Sequence, residues 1–154
     1  MQIDLIAVGK RMPAWIETAF KEYSKHLPKN IQFKLIEITP AIRGKTSNAD
    51  NYKQKEQKNI EAALSPDSII IALDEKGKSI NSQTLANQLQ TWLDEQQHIS
   101  LIIGSADGLS DSIKNKAKHT WSLSAMTLPH GLVRVVEQLY RAWTITQNHP
   151  YHRE

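Results

Sequence analysis

Hydrophobic residues follow two alternating patterns along the chain. Short apolar runs typical of β-strands are separated by longer segments in which apolar residues recur every three or four positions, as in amphipathic helices. The predicted strands are residues 2–8, 31–38, 68–73, 99–103 and 120–124. The predicted helices begin near Pro13, Ser47, Ser82, Ser110 and Pro129. This alternation predicts an α/β fold in which a mainly parallel sheet carries helices on both faces.

Prolines and small polar residues predict where the helices begin. Ser47 and Asp50 have the spacing of a capping box, and Ser82 is predicted to cap the next helix. The first helix is predicted to present an apolar face made of Trp15, Ala19, Phe20, Tyr23 and Leu27. The last helix is predicted to present Leu132, Val136, Leu139 or Tyr140, and Trp143.

A ligand site is expected where the parallel strands end. In open parallel sheets, ligands bind in the crevice beyond the carboxyl ends of the strands, where several loops converge. Three such loops are predicted here, at residues 73–77, 104–108 and 122–128. The first two follow buried-type strands, and the third follows the brief strand at 120–124.

Two of these loops have unusual compositions. Gly104 and Gly108 flank a short strand-to-helix connection, which is consistent either with a tight turn or with a backbone that approaches a ligand closely. Their spacing matches neither G-x-G-x-x-G nor the G-x-x-x-x-G-K-[ST] phosphate loop. The segment SLSAMTLPH is nearly uncharged. It is expected either to pack into the core or to surround an apolar, hydrogen-bonding ligand such as an adenine ring.

The composition excludes several classes of protein. With 154 residues, 40% hydrophobic and 23% charged, the chain predicts a single globular domain. The absence of cysteine excludes a disulfide scaffold, a thiolate zinc site, a cysteine nucleophile and an iron–sulfur cluster. No apolar run approaches the ~20 residues of a membrane span, so a soluble, cytoplasmic protein is predicted.

The charge is unevenly distributed. The formal net charge is +3, but residues 67–109 carry six acidic and two basic residues between two basic flanks. The basic residues on the flanks suit either a nucleic-acid partner or an ordinary solvated surface. The candidates before the acidic section are Arg43, Lys45, Lys53, Lys55 and Lys58.

The last helix also carries charges. Arg134 and Arg141 are two helical turns apart with Glu137 between them, which predicts either an intrahelical salt bridge or contacts with RNA or a second subunit. Four histidines lie in the last 36 residues, but their spacing matches no common metal site. His130 and His152 are candidates for proton transfer or phosphate binding, although capping and surface roles are more common.

Several strings in the chain resemble one enzyme family. IIGSADGL, WSLSAMTLPHGLVRVVEQLYRAW and NHPYHRE, together with IDLIAVGK near the N-terminus and IALDEKGK, are similar to the RlmH family. This family comprises the pseudouridine N3-methyltransferases of 23S rRNA within the SPOUT superfamily. The resemblance covers essentially the whole chain. One departure is Ser105, where family members commonly have a second glycine.

The resemblance implies a fold and a cofactor. It implies one SPOUT-type domain over residues 1–154, with a deep trefoil knot over about residues 68–154, an exception to the rule that folds are unknotted. It also implies that the knotted loops bind S-adenosylmethionine, and it implies no metal. The cofactor contacts implied by the motif match are Leu73, Gly104, Leu123, Ser124, Ala125, Met126, Thr127 and Leu128.

The resemblance further implies a homodimer in which the tail of one subunit approaches the site of its partner. Trp143, Tyr151, His152 and Arg153 would then serve dimerisation or substrate binding. The expected activity is methylation of a pseudouridine N3 in 23S rRNA of the large subunit or assembled ribosome. Candidates for removing the N3 proton or stabilising the anion are His130, His152 and Arg153. Alternatives are a non-catalytic RNA- or ribosome-binding protein on this scaffold, and a methyltransferase acting on another RNA.

Overall fold

A computed structural model describes residues 1–9, 13–42, 44, 48–105, 107–124 and 131–152, and for Leu132 and His152 the backbone alone. The strands are β1 (Gln2–Val8), β2 (Gln32–Ile38), β3 (Ile69–Ser79), β4 (His98–Ile103) and β5 (His119–Ser122). The helices are α1 (Ala14–Lys25), α2 (Ala49–Ala63), α3 (Ser82–Asp94), α4 (Asp111–Lys116) and α5 (Gly131–Thr146). A short 3-10 helix, Pro150–His152, follows α5.

The strands form one five-stranded sheet in the order β2-β1-β4-β3-β5, and all four strand pairs are parallel. Helices α1, α3 and α5 cover one face, and α2 and α4 cover the other. The prediction of a mainly parallel α/β fold is therefore confirmed. Because parallel strands need crossover connections, the helices bury both faces of the sheet.

Strand β1 lies inside the sheet, so both of its faces are buried. Ile3, Leu5 and Ala7 pack towards α1, α3 and α5, while Ile6 and Val8 pack towards α2 and α4. Alternate residues of β1 thus face the two hydrophobic cores on opposite sides of the sheet. Neither face of this strand is turned towards solvent. Asp4 is buried in the same strand, with 2% of its surface exposed.

Asp4 is stabilised by two polar neighbours. Its carboxylate accepts a hydrogen bond from the Gln2 amide at 3.0 Å and lies 2.7 Å from Nε2 of His98 on β4. A buried carboxylate that loses a partner retains its desolvation cost. We expect His98→Leu to lower the free energy of unfolding by about 2 kcal/mol, as measured by chemical denaturation. His98→Gln, which retains a donor, should recover part of this loss; equal stability of wild type and His98→Leu would contradict the prediction.

The caps of two helices differ from those predicted. Asn48, not Ser47, caps α2, because its side chain accepts a hydrogen bond from the backbone N–H of Asn51 at 3.0 Å. Asn81, not Ser82, caps α3 by accepting one from Thr84 N–H at 2.8 Å. In both cases an Asx side chain next to the predicted serine caps the helix. Ser47 itself lies outside the described residues.

Two further predictions are corrected by packing. Strand β3 continues to Ser79 instead of ending at Leu73, with an irregularity between Leu73 and Lys78 where it pairs with β5. The predicted 73–77 loop is thus part of an irregular strand. In α1, Ile16 is the buried residue, whereas Trp15 is 55% exposed. The rest of the predicted face is as expected, with Leu27 buried and Phe20 and Tyr23 half-buried, because Ile16 lies one helical turn before Phe20 on the same face.

Candidate functional site

Leu73 within β3 lies beside Ile103 at the end of β4 and Trp121 near the end of β5. Leu73 is paired in register with Ile103 of β4 on one side and with Trp121 of β5 on the other. The three segments singled out in the sequence therefore converge, although the first of them lies within the irregular part of β3 and not beyond its end. The N-terminal end of α5 lies against the end of β4, since a Cβ atom at Gly131 would contact the Ile103 side chain at 3.6 Å.

A cleft of about 140 Å³, which we call the first cleft, lies between these residues. Strands β3, β4 and β5, the segment after β5 and helix α5 contribute its apolar side chains, which are Leu73, Ile103, Trp121, Leu123 and Val135. Its polar residues are Asp74, Glu75, Ser122, Ser124 and Arg134. The hydroxyl of Ser122 donates to the carbonyl oxygen of Ser124 at 3.1 Å, which fixes the start of the segment after β5.

The loop after β4 folds back tightly on itself. Gly108 N–H donates to the carbonyl oxygen of Ser105 at 2.8 Å, and Gly108 has a φ of 77°. A Cβ atom at Gly104 would lie 2.8 Å from the carbonyl carbon of Gly108 and 3.0 Å from the backbone nitrogen of Leu109. Glycine is therefore required at position 104 for close approach and favoured at position 108 for its dihedral angle. The tight-turn interpretation of this pair is confirmed.

This loop also borders a second, wider cleft of about 720 Å³. The second cleft shares Leu73, Asp74, Glu75, Ile103 and Gly131 with the first, so the two are continuous. Lys53 of α2, Lys76 and Lys114 contribute cationic side chains to it. The Nζ atom of Lys114 lies 3.4 Å from Asp74 Oδ2 and 3.5 Å from Asp111 Oδ1. Charged side chains of both signs thus line the second cleft.

Arg134 lines the first cleft and is not paired with Glu137. Among the described residues, Glu137 accepts hydrogen bonds from the Gln138 amide and, at 3.4 Å, from the Tyr151 hydroxyl. The alternative of an intrahelical salt bridge to Arg134 or Arg141 is wrong for this part of the chain. Arg134 is one of the residues that line the first cleft.

The C-terminal segment packs on α5 through aromatic rings. The ring centroids of Tyr151 and Tyr140 are 4.7 Å apart, and those of Tyr140 and Trp143 are 6.0 Å apart. Burial of the Tyr151 hydroxyl, its hydrogen bond with Tyr23 and the nearby charge of Glu137 raise the pKa of Tyr151 above its ordinary value. The phenol is therefore protonated at neutral pH and donates to Glu137.

The structure describes only some of the predicted site residues. Leu73, Leu123 and Ser124 line the first cleft, and Leu73 and Gly104 line the second. The other predicted positions, Ala125, Met126, Thr127, Leu128, His130 and Arg153, lie outside the described residues. The backbone of His152 lies in the 3-10 helix after α5. The structure therefore brings the three segments together. The proton-transfer roles of His130, His152 and Arg153 remain predictions.

Sequence reasoning missed several residues near the clefts. Glu56 of α2 is only 3% exposed and contacts the loop after β4, although it lies within a lysine-rich surface helix. The sequence contains one signal that Glu56 is buried: it is four residues from both Tyr52 and Ile60, so all three lie on one face of α2, and all three are buried. Trp121 lines the first cleft from within β5, where the sequence suggested only a strand residue.

Comparisons with known proteins agree with this architecture. A family model described as "Predicted SPOUT methyltransferase" matches residues 1–152. The chain is 46% identical over 156 residues to the ribosomal RNA large subunit methyltransferase H of Hydrogenovibrio crunogenus, and the match covers 100% of both chains. The chain belongs to the RlmH family of SPOUT methyltransferases. The resemblance found in the sequence motifs is thereby confirmed.

Other relatives support membership of the RlmH family and the SPOUT fold. The corresponding enzyme of Burkholderia mallei is 44% identical over 155 residues, covering 99% of each chain. Among solved structures, a "Probable Methyltransferase" from Bordetella pertussis aligns with a TM-score of 0.56 at 15% identity, covering 91% of this chain and 93% of that one. A methylase family protein from Neisseria gonorrhoeae gives 0.53 at 14% identity, covering 90% and 81%. At these identities the structures support the fold alone.

As a methyltransferase, this RlmH family member requires a methyl donor. Within the described ranges, no group of three or more histidine, aspartate or glutamate side chains is arranged to hold a metal ion. No helix in the part of the chain that the structure describes is long and apolar enough to cross a membrane.

Proposed function

We propose that the protein transfers a methyl group from S-adenosylmethionine to N3 of a pseudouridine in 23S rRNA, on the large subunit or the assembled ribosome. The observation that carries the proposal is that Leu73 lines two continuous clefts in an RlmH family member, the first also lined by Leu123 and the second by the Gly104 loop. The relatives at 44–46% identity are named as large-subunit rRNA methyltransferases.

The first cleft suits an adenosine cofactor. Leu73, Ile103 and Leu123 supply apolar surface for a purine ring, and the backbone after β5 supplies hydrogen-bonding groups. Asp74 and Glu75 place carboxylates where a positively charged sulfonium would be favoured. By the family match, residues 125–128 would complete this site. The bound cofactor would supply an activated methyl group, and no metal is needed.

The residues of this chain have two tasks in the proposed reaction. They must hold the uracil nitrogen close to the methyl group and in line with it, since positioning lowers the barrier of such a displacement. They must also accept or stabilise the charge left when N3 loses its proton. Arg134 is a described cation beside the cleft. His130, His152 and Arg153 remain the candidates for the proton-transfer step.

We infer that the active form is a homodimer whose tails reach the partner's cleft. Support comes from the half-buried aromatic side chains of Tyr140 and Trp143 on α5 and from Tyr151, which is 39% exposed beside them. Aromatic residues at a surface are typical of interfaces. Family membership also supports a single knotted domain, with the knot over about residues 68–154, and the ribosomal substrate favours a cytoplasmic location.

The proposed function is tested with ribosomes from a strain lacking the methylation. We expect purified protein and labelled S-adenosylmethionine to transfer label to 23S rRNA, at a pseudouridine identified by mass spectrometry of nuclease fragments. Free 23S rRNA and tRNA serve as comparison substrates. Cofactor binding without label transfer to any RNA would support a non-catalytic RNA-binding protein instead, and transfer to tRNA would change the assigned substrate.

A further inference from the structure

Glu56 connects three segments near the clefts. It lies in the middle of α2 and is only 3% exposed. Its Oε2 atom accepts a hydrogen bond from the Ser105 hydroxyl at 2.8 Å, and its Oε1 atom accepts one from the backbone N–H of Ala41 at 3.0 Å. One carboxylate therefore joins a surface helix, the segment after β2 and the loop after β4.

Ser105 is the residue at which the loop after β4 closes. Its carbonyl oxygen accepts from Gly108 N–H at 2.8 Å, so its backbone holds the far end of the loop. Its hydroxyl is held by Glu56 at the same time. The preceding residue, Gly104, contacts the Gly108 backbone so closely that even a methyl group would not fit. A small displacement of Ser105 would therefore move the backbone that borders the second cleft, which is continuous with the first.

The Ala41 contact restricts the Glu56 side chain from the other side. Tyr52, one turn earlier on α2, exchanges two hydrogen bonds with the backbone of Gly44, at 2.8 and 2.9 Å. Helix α2 thus holds the segment after β2 at Ala41 and at Gly44. With one oxygen fixed in this way, the other is oriented towards Ser105. Pre-organised hydrogen bonds of this kind reduce the entropy that must be lost when a ligand binds.

We propose that Glu56 is a positioning residue that holds the Gly104–Gly108 loop, through Ser105, in the conformation that accepts the methyl donor. This inference rests on the proposed cofactor site. A hydrogen bond to a charged, buried group is among the stronger ones in proteins. Removing either partner is expected to loosen the loop and to weaken cofactor affinity, although neither Glu56 nor Ser105 lines the first cleft.

The test measures the affinity for S-adenosylmethionine by calorimetry in four variants of the full chain. We expect Glu56→Ala and Ser105→Ala each to weaken binding roughly tenfold. The double variant should be little worse than either single variant, because the two residues act through one contact. Glu56→Gln, which retains an acceptor for Ala41 and a polar partner for Ser105, should remain within about threefold of wild type.

Glu61→Ala is the matched control. Glu61 lies on the same helix and pairs with Lys116 of α4, away from the loop after β4. We expect this control to change thermal stability without changing cofactor affinity. Wild-type affinity in both Glu56→Ala and Ser105→Ala, or fully additive losses in the double variant, would overturn the inference. If Glu56→Ala fails to fold, Ser105→Ala decides between these results.

Hydrogen exchange separates this inference from the proposed function. In the free protein, we expect Ser105→Ala and Glu56→Ala to increase deuterium uptake in a peptide spanning residues 104–109, because the Gly108 N–H bond depends on Ser105. Glu61→Ala should leave this peptide unchanged. Absence of cofactor binding by the wild type would refute the proposed function. Unchanged exchange in both variants would refute the positioning role whatever the cofactor result.

Discussion

Gly104→Ala is expected to weaken S-adenosylmethionine binding about 100-fold, a loss at the upper end for overpacked sites. The added Cβ would lie 2.8 Å from the Gly108 carbonyl carbon, a distance that real Cβ atoms do not adopt. Because backbone atoms on both sides form this contact, the loop after β4 must open to accommodate the methyl group. The loop borders the second cleft next to Leu73, so opening it changes the cofactor site.

Calorimetric titration with S-adenosylmethionine measures this effect, and circular dichroism establishes that the variant is folded. Gly44→Ala is a matched control, because a Cβ at position 44 meets nothing within 4 Å. We expect this control to bind the cofactor with wild-type affinity. Gly104→Trp should show at least the same loss as Gly104→Ala. An alanine variant that binds as tightly as wild type would exclude the Gly104 loop from the cofactor site.

The second large effect is expected from the C-terminal tail. The double variant His152→Ala, Arg153→Ala should lose rRNA methylation by about 100-fold or more, the usual scale of a proton-transfer contribution. Its affinity for S-adenosylmethionine should stay within about twofold, since the tail is proposed to contact the nucleotide rather than the cofactor. Parallel measurement of label transfer and calorimetric affinity tests both halves of this prediction. Full turnover would remove the tail from the mechanism.

Mixing two inactive variants tests whether the tail serves the partner's cleft. In a mixed dimer of Gly104→Ala and the tail double variant, one of the two shared sites combines an intact loop with an intact tail. Random re-association should therefore restore roughly a quarter of wild-type activity, since half of the dimers are mixed. As a control, Gly104→Ala is mixed with a Glu22→Ala subunit, which has an intact loop and an intact tail. This mixture should show only the activity that the Glu22→Ala protein contributes by itself. No restoration would indicate that each tail serves its own subunit.

The sequence predicted the parallel α/β fold because apolar periodicity is a local property of the chain. The apolar runs predicted as strands at 68–73 and 99–103 form β3 and β4, and the structure shows that these two strands are neighbours, with Leu73 paired with Ile103. The Gly104–Gly108 spacing likewise indicated a tight connection. The RlmH resemblance, confirmed by the comparisons, supplied the function that periodicity alone did not distinguish from other ligand-binding α/β proteins.

Tertiary structure decided which polar residues became buried and what they hold. Glu56 lies in a sequence rich in lysine, and only the approach of α2 to the loop after β4 buries its carboxylate between Ala41 and Ser105. Arg134 had an ionic partner at helical spacing, yet the packing of α5 directs it to the first cleft. The spacing of residues along one helix or strand can be read from the sequence. A contact such as that between Glu56 and Ser105, which are 49 positions apart, depends on how the helices and strands pack.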